Sequence, residues 1–312
     1  MRIVRAMRAA SKSTDRPVVA GIPISNSGRV VYPAIGITKL DVAKYYETVG
    51  DWIVPHVEGR PLTLVLCPEG LPAQCHFLKH SKVWGPKVIR RVNIQEKTKI
   101  GEYMIADSVS AVVALAQMGI LEIHTWNTTA DHIEKPNRIV IDLDPGENVT
   151  WTQVISAARL VRKVLAAVEL ESFVKTTGGR GLHVVAPLTP TCDWSKCLEF
   201  SRSLSHVIEK SDPATFTTQF AKAGRESKIL IDYMRNNRTN TSVSAYSTRA
   251  KENASVSVPI KWNDLKPSLD PFTFTIQTVP LRLAKLRADP WKDYWTTRQR
   301  LTNSMLKAIG QL

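Results

Sequence analysis

The sequence predicts a mixed α+β fold, and three observations predict it. Short apolar or alternating runs with strand composition recur along the chain, segments with helical spacing fall between them without regular βα alternation, and a helix-like stretch closes the sequence. That irregular order argues against a regular parallel barrel.

In chain order, Thr38-Lys-Leu-Asp41 reads as a capped helix start running to Gly50. Leu62 to Leu66 reads as a strand, Asp107 to Met118 as a helix and Glu122 to Trp126 as a strand. In the helix Val109, Val112, Val113 and Ala116 keep helical spacing, and Gly119 stops it. Strand Ile139 to Leu143 precedes a helix from Thr150 to Val168 that buries Val154, Ala158, Val161, Leu165 and Val168. Strands follow at Phe173 to Lys175, Gly181 to Ala186, Ile229 to Tyr233 and Ser242 to Tyr246, and the last helix is expected from Trp291 to Ile309. No repeat or linker-like tract divides the chain, so residues 1–312 read as one catalytic unit behind a basic, mobile arm at 1–20.

Lysine and arginine number 42 against 28 acidic residues, a net charge of +14 that favours a polyanionic partner, nucleic acid first among them. No apolar stretch is long enough to cross a bilayer and no secretory leader opens the sequence, so no membrane partner and an intracellular, reducing compartment are expected. Cys67, Cys75, Cys192 and Cys197 form no CxxC pair and no disulfide framework. Cys67 and Cys75, with His76 and His80, are too widely spaced for a structural zinc site.

The chemistry concentrates in Arg138-Ile-Val-Ile-Asp142-Leu-Asp144-Pro-Gly146. Side chains two apart on a strand share a face, so Asp142 and Asp144 can converge on one ion while Leu143 turns to the core. Lys228-Ile-Leu-Ile-Asp232 supplies a lone acid in a second apolar strand, read as a third ligand; a buried salt bridge to Arg235 or Arg225 is the alternative. Lys175-Thr-Thr177-Gly-Gly-Arg180-Gly-Leu-His183 joins two apolar runs by a glycine-rich loop whose amides and cations suit a triphosphate, though its spacing is not that of a Walker loop. Arg225 and Arg249 add forks for a nucleotide tail, and His124 shares strand parity with Glu122.

These motifs, with Gly28-Arg-Val-Val-Tyr-Pro33, Gly36-Ile-Thr-Lys39, Gly59-Arg-Pro61, Leu121-Glu-Ile-His124, Asp232-Tyr-Met-Arg-Asn236 and Tyr246-Ser-Thr-Arg249, resemble the polymerase domain of bacterial DNA ligase D from about Gly28 to Trp295. That family lies in the archaeo-eukaryotic primase superfamily. The resemblance implies a primase-like fold, mixed sheets flanked by helices with the acids on an RRM-like sheet. It implies two divalent ions, Mn²⁺ or Mg²⁺, on Asp142, Asp144 and Asp232. The incoming NTP or dNTP falls to Thr177, Arg180, His183, Arg225 and Arg249, with Lys175 and His124 in the same pocket. Asn26, Arg29 and Lys39 match a pocket for the 5′-phosphate of a DNA gap, and Phe77 matches an aromatic that stacks on the template. Relatives often carry two Phe where this chain has His76-Phe77, often a basic residue near Leu66, and usually Ser in place of Thr177.

The expected function is addition of ribonucleotides, in preference to deoxyribonucleotides, to 3′ ends at gaps and double-strand breaks in non-homologous end joining. Ku and a DNA ligase are the implied partners, and the bacterial nucleoid the implied location. The rivals are a replicative primase starting strands de novo, a non-catalytic DNA-end binding module and a sugar-nucleotide transferase using Asp-x-Asp.

Overall fold

The computed structural model describes residues 16–80, 85–221 and 223–311. The chain enters through a hairpin of β1 (Val18–Val19) and β2 (Ile22–Pro23), then a short pair, β3 (Val30–Tyr32) and β4 (Ile37–Thr38). α1 (Lys39–Thr48) opens as its sequence predicts: Thr38 Oγ1 accepts from Asp41 N at 3.2 Å and the Asp41 carboxylate accepts from Thr38 N at 2.8 Å. α2 (Gly50–Val57) follows directly, then β5 (Leu62–Leu66), β6 (His76–Leu78), β7 (Arg90–Gln95), β8 (Ile100–Ile105), α3 (Val109–Gln117) and β9 (Ile120–Thr125). The second half runs β10 (Arg138–Pro145), α4 (Trp151–Ala167), β11 (Phe173–Thr176), β12 (Leu182–Pro187), α5 (Trp194–Ser211), β13 (Phe216–Thr217), β14 (Ile229–Asp232), β15 (Ser242–Val243), β16 (Pro259–Ile260), α6 (Thr278–Leu283) and α7 (Asn303–Ile309).

Two sheets frame the site. The larger has the order β13-β14-β10-β12-β11-β16, antiparallel except for β13 beside β14; the smaller has the order β15-β9-β5-β6. β10 alternates between two environments. Ile139, Ile141 and Leu143 join the main core with Val154, Ala158, Val161 and Leu165 of α4, whereas Val140 packs on the opposite face with Val185, Trp291 and Tyr294. Each large aliphatic side chain so buried contributes roughly 1.5–3 kcal/mol, enough to lock the strand's register and therefore the face that carries Asp142.

Where β14 ends, the side chain of Asn236 takes over its pairing with β10. Its Oδ1 accepts from Val140 N at 2.8 Å and its Nδ2 donates to Val140 O at 2.7 Å. A buried amide thus stands in for one strand residue and satisfies backbone groups that would otherwise be orphaned.

Four sequence expectations are corrected, and one helix is added. The basic arm does not reach residue 20, because Val19 is buried and Ala20 is tied to Glu47 and Ser110; residues 1–15 lie outside the described residues. Cys67 and Cys75, expected as free thiols, are joined by a disulfide, since the β5–β6 turn returns their Cα atoms to 4.4 Å; Cys192 and Cys197 remain free and buried. The strand expected over Ser242 to Tyr246 stops at Val243, and Tyr246 sits at φ 62. The closing helix is broken, with only a 3₁₀ turn at Lys292–Trp295 before α7, because Gln299 is held extended between Thr189 N, Glu171 O and Pro187 O. Finally α5 was not expected at all, although Asp193 caps it and Cys197, Phe200, Leu204 and Ile208 form its buried stripe.

Candidate active site

Antiparallel pairing of β10 with β14 sets Asp142 directly opposite Asp232, and pairing with β12 sets Asp142 opposite His183; β11 then adds Lys175 opposite His183. Four functional side chains from four adjacent strands therefore lie across one row of the larger sheet. Asp144 stands two residues further along β10, at the more open end.

Arginines engage all three acids. Arg235 Nε donates to Asp142 Oδ2 at 3.0 Å and lies 3.0 Å from Asp232 Oδ2, while Arg225 Nη2 lies 3.1 Å from Asp144 Oδ2. The salt-bridge alternative raised from sequence is thus realised, with Arg235 between two of the acids. Because the carboxylates are turned onto these guanidinium groups, no three His, Cys, Asp or Glu side chains among the described residues are already gathered around one metal position.

Burial acts on all three carboxyls. Burial, with the Asp142 and Asp144 charges, outweighs Arg235 and pushes the Asp232 carboxyl up to about 6. Asp144 is raised by burial and by Asp142. Burial works against ionisation of Asp142 too, yet His183 and Arg235 hold that carboxyl below its ordinary range. Asp142, Asp144 and Asp232 are hard oxygen donors of the kind that could hold Mg²⁺ or Mn²⁺.

The rest of the row carries basic side chains. Lys175 is buried, donates to Ser257 Oγ at 2.7 Å and is held well below its ordinary range by burial and by Arg138. His183, 3.3 Å from Asp142, is lowered to about 4 by burial and Lys175, and its Nδ1 is buried without a partner. The β11–β12 turn carries Thr177, whose hydroxyl donates to Gly181 O at 3.2 Å. Gly178 sits at φ 70, where a Cβ would lie 2.6 Å from Arg249 Cγ, and a Cβ on Gly181 would collide with Leu143 O. These glycines let the turn close onto β10 and onto Arg249.

Arg249 Nη1 donates to Thr177 O, and its Nε lies 2.9 Å from Glu122 Oε2 with the N–H aimed elsewhere, so that contact is Coulombic. Glu122 also takes His124 Nε2 at 2.8 Å and Ala250 N at 2.8 Å. His124, Asp142, Asp144, Thr177, Arg180, His183, Arg235, Arg249 and Lys251 line one cleft of about 230 Å³ between the two sheets. Lys175 lies beneath it, Arg225 reaches it through Asp144, and Arg180 leans outward, its Nη2 donating to Glu147 O at 3.0 Å and Val149 O at 2.7 Å.

Two other sequence candidates form separate places. Asn26, at φ 49, accepts from Arg29 N, and Lys39 N donates to Arg29 O, so one turn gathers Asn26, Arg29 and Lys39; burial and the Arg29 charge lower Lys39. Arg29 also contacts Glu69 at 3.3 Å. Phe77, on edge strand β6, is 75% exposed with its ring centroid 6.4 Å from that of His124. Sequence reasoning missed Glu122 and Lys251 as site residues. Glu122 carried the signal that singled out Asp232, an isolated acid in an apolar strand; Lys251 carried none.

A sheet that presents acids from two neighbouring strands against a glycine-rich turn and a second, smaller sheet defines a protein of the primase-polymerase class. The family model described as LigD, primase-polymerase domain, matches residues 38–291. The chain is 32% identical over 311 residues to the multifunctional non-homologous end joining protein LigD of Pseudomonas aeruginosa, covering 99% of this chain and 37% of that protein. It is 31% identical over 246 residues to the protein of the same name from Mycolicibacterium smegmatis, covering 78% of this chain and 32% of the relative. The polymerase domain from Mycobacterium tuberculosis ligase D, solved in complex with DNA, superposes with a TM-score of 0.81 at 28% identity over 87% of this chain and 96% of that one. The chain belongs to the LigD primase-polymerase family and has the archaeo-eukaryotic primase fold. It spans about a third of the length of the full LigD relatives. No helix among the described residues is long and apolar enough to cross a membrane.

Proposed function

We propose that this chain is a metal-dependent DNA-directed nucleotidyltransferase that adds NTPs, in preference to dNTPs, to a primer 3′ end at gaps and broken ends, templated or terminal, in bacterial non-homologous end joining. The reading is carried by the row of Asp142, Asp232, His183 and Lys175 across adjacent strands, of which Asp142 and His183 line one cleft with Asp144, Thr177 and Arg249. Asp142, Asp144 and Asp232 would hold two divalent ions, Mn²⁺ or Mg²⁺, which would supply a lowered pKa for the primer hydroxyl and offset charge in the transition state.

The chain's own groups do the rest. The Thr177 hydroxyl, Arg180, Arg249 and Lys175 bind and orient the triphosphate, and Arg225 holds its tail. His183 belongs to the same grip, its Nε2 3.3 Å from Asp142 orienting that carboxylate without adding a full charge beside it. Phe77 stacks on the template, with His124 beside it, and Asn26, Arg29 and Lys39 take the 5′-phosphate across the gap. Ku and a DNA ligase complete the proposed pathway at the bacterial nucleoid, in the cytoplasm.

The test is extension of a gapped duplex, with and without its 5′-phosphate, comparing NTP with dNTP in Mn²⁺ and Mg²⁺. Asp142→Ala and Asp232→Ala are expected to abolish extension while DNA binding persists. Extension by either variant at the parent's rate refutes the assignment.

A further inference from the structure

The seam between the two sheets has two ends, and the cleft is one of them. At the other, where β10 begins and β12 finishes, a separate cavity of about 230 Å³ has Arg60, Asn137, Thr189, Tyr294, Trp295 and Arg298 on its walls. Asn137 precedes Asp142 by five residues, about 16 Å along the strand, so this space is no part of the cleft. Its walls carry two cations and, among the described residues, no carboxylate. Glu171 Oε2, which accepts from Thr297 Oγ1 at 3.3 Å, stays off them.

Arg60 comes from the Gly59-Arg60-Pro61 turn between α2 and β5, a motif the cleft does not use. The residue is only 6% exposed. Its Nη1 donates to Asn137 Oδ1 at 2.8 Å and to Trp126 O at 3.3 Å. Nε is unpaired and shut off from solvent, whereas Nη2 is not shut off and makes no hydrogen bond among the described residues. Arg138, also buried, shares the Trp126 carbonyl at 3.2 Å and otherwise donates to Asn127 Oδ1 and Thr125 Oγ1. The partners of both guanidinium groups are thus neutral oxygens. Burial and the Arg138 charge push Arg60 down to about 9, which leaves it a cation at neutral pH. Two buried cations on one carbonyl, with no carboxylate against either, destabilise the fold until an anion joins them.

The rim supplies the remaining donors. Arg298 is exposed and commits its Nη1 to Trp295 O at 2.9 Å and Thr297 O at 3.2 Å, so its Nε and Nη2 make no hydrogen bond among the described residues. The Thr189 hydroxyl is likewise uncommitted there.

We propose that this cavity binds a phosphate group, held between Arg60 Nη2 and the open edge of Arg298 with the Thr189 hydroxyl as a third donor. An uncharged ligand leaves Arg60 uncompensated, and the forked edge of an arginine pairs two phosphate oxygens at once. The phosphate is either a free ion or one unit of a DNA backbone drawn by the chain's net charge of +14. The site does not depend on the polymerase reading of the cleft.

The test uses the full chain in two arms, with Lys163→Gln as the control, since it removes an exposed charge of α4 on neither cavity nor cleft. In the first arm inorganic phosphate is titrated calorimetrically at fixed ionic strength. In the second a gapped duplex is bound, by fluorescence anisotropy, over a series of salt concentrations. Arg298→Gln is expected to weaken one of these by about tenfold relative to the control. Loss in the phosphate arm alone identifies a free ion. Loss in the DNA arm, with the slope of log affinity against log salt reduced by about 1, identifies a backbone phosphate. Arg60→Lys, which keeps the charge and removes the fork, is expected to weaken the same arm; if it does not fold, Arg298→Gln decides alone. Arg298→Gln indistinguishable from Lys163→Gln in both arms overturns the proposal.

Discussion

Replacing Asp232 by Asn separates stability from function at one atom. The carboxyl is nearly sealed from solvent and raised from its ordinary 3.8 to about 6, so it is protonated in the folded state well above where it ionises in the unfolded chain. A group with a raised folded pKa contributes stability that is fully present below about 3.8 and lost as pH rises through about 6. At pH 7.5 the metal-free protein therefore carries a penalty of about 3 kcal/mol. Asn removes it and gives up the 3.0 Å contact with Arg235, which keeps Asp142 as partner.

A chain of this length gains roughly 0.65 kcal/mol per degree in its melting transition. The variant is thus expected to melt about 2–4 °C above the parent at pH 7.5 without metal, with the pH-dependent part of the difference about halved at pH 5 and gone below about 3.8. Mn²⁺ at about a hundred times its Kd should raise the parent by about 4 °C and the variant by far less, while extension is lost. Differential scanning calorimetry across that pH range with EDTA, then with Mn²⁺, checks each part. A variant less stable than the parent at pH 7.5, or one that keeps the full Mn²⁺ shift, refutes the reasoning.

Asn236→Ala leaves both polar groups of Val140 without their side-chain partner in a buried strand, so a loss of about 2–4 kcal/mol is expected in urea unfolding. Reducing the Cys67–Cys75 bond, or Cys75→Ser, opens a short loop and is expected to cost about 2–3 kcal/mol by chain entropy; a thiol titration of the unfolded chain before and after reduction confirms the bond, and an unchanged unfolding midpoint refutes the estimate.

The strands that carry the acids were legible because burial imposes a pattern. Ile139, Ile141 and Leu143 alternate with Asp142, and Ile229 to Asp232 repeats the device, so both strands and their functional ends follow from period and charge alone. What joins them was not legible. The opposition of Asp142 and Asp232 depends on β14 lying beside β10, a long-range pairing that no local periodicity encodes. α5 was overlooked because Ser201 and Ser205 dilute its apolar stripe; their hydroxyls are satisfied by Cys197 O and Ser201 O one turn back. The β7–β8 hairpin escaped because β7 exposes Arg90, Arg91, Asn93 and Gln95 and so shows no clean apolar alternation. The closing helix failed for the opposite reason, since local composition permits a helix there and tertiary hydrogen bonds to Gln299 override it.

Glu122 works as a spacer gauge. Rooted in the smaller sheet, this one buried carboxylate grips Arg249, which in turn is fastened to the turn between β11 and β12 of the larger sheet. Prising the jaws apart strands the buried Glu122 charge, and squeezing them together forces the Arg249 stem against Gly178. The opening offered to a substrate is thereby calibrated by the reach of a glutamate, and shortening it to aspartate is the smallest edit that resets the aperture while leaving every metal-side acid untouched.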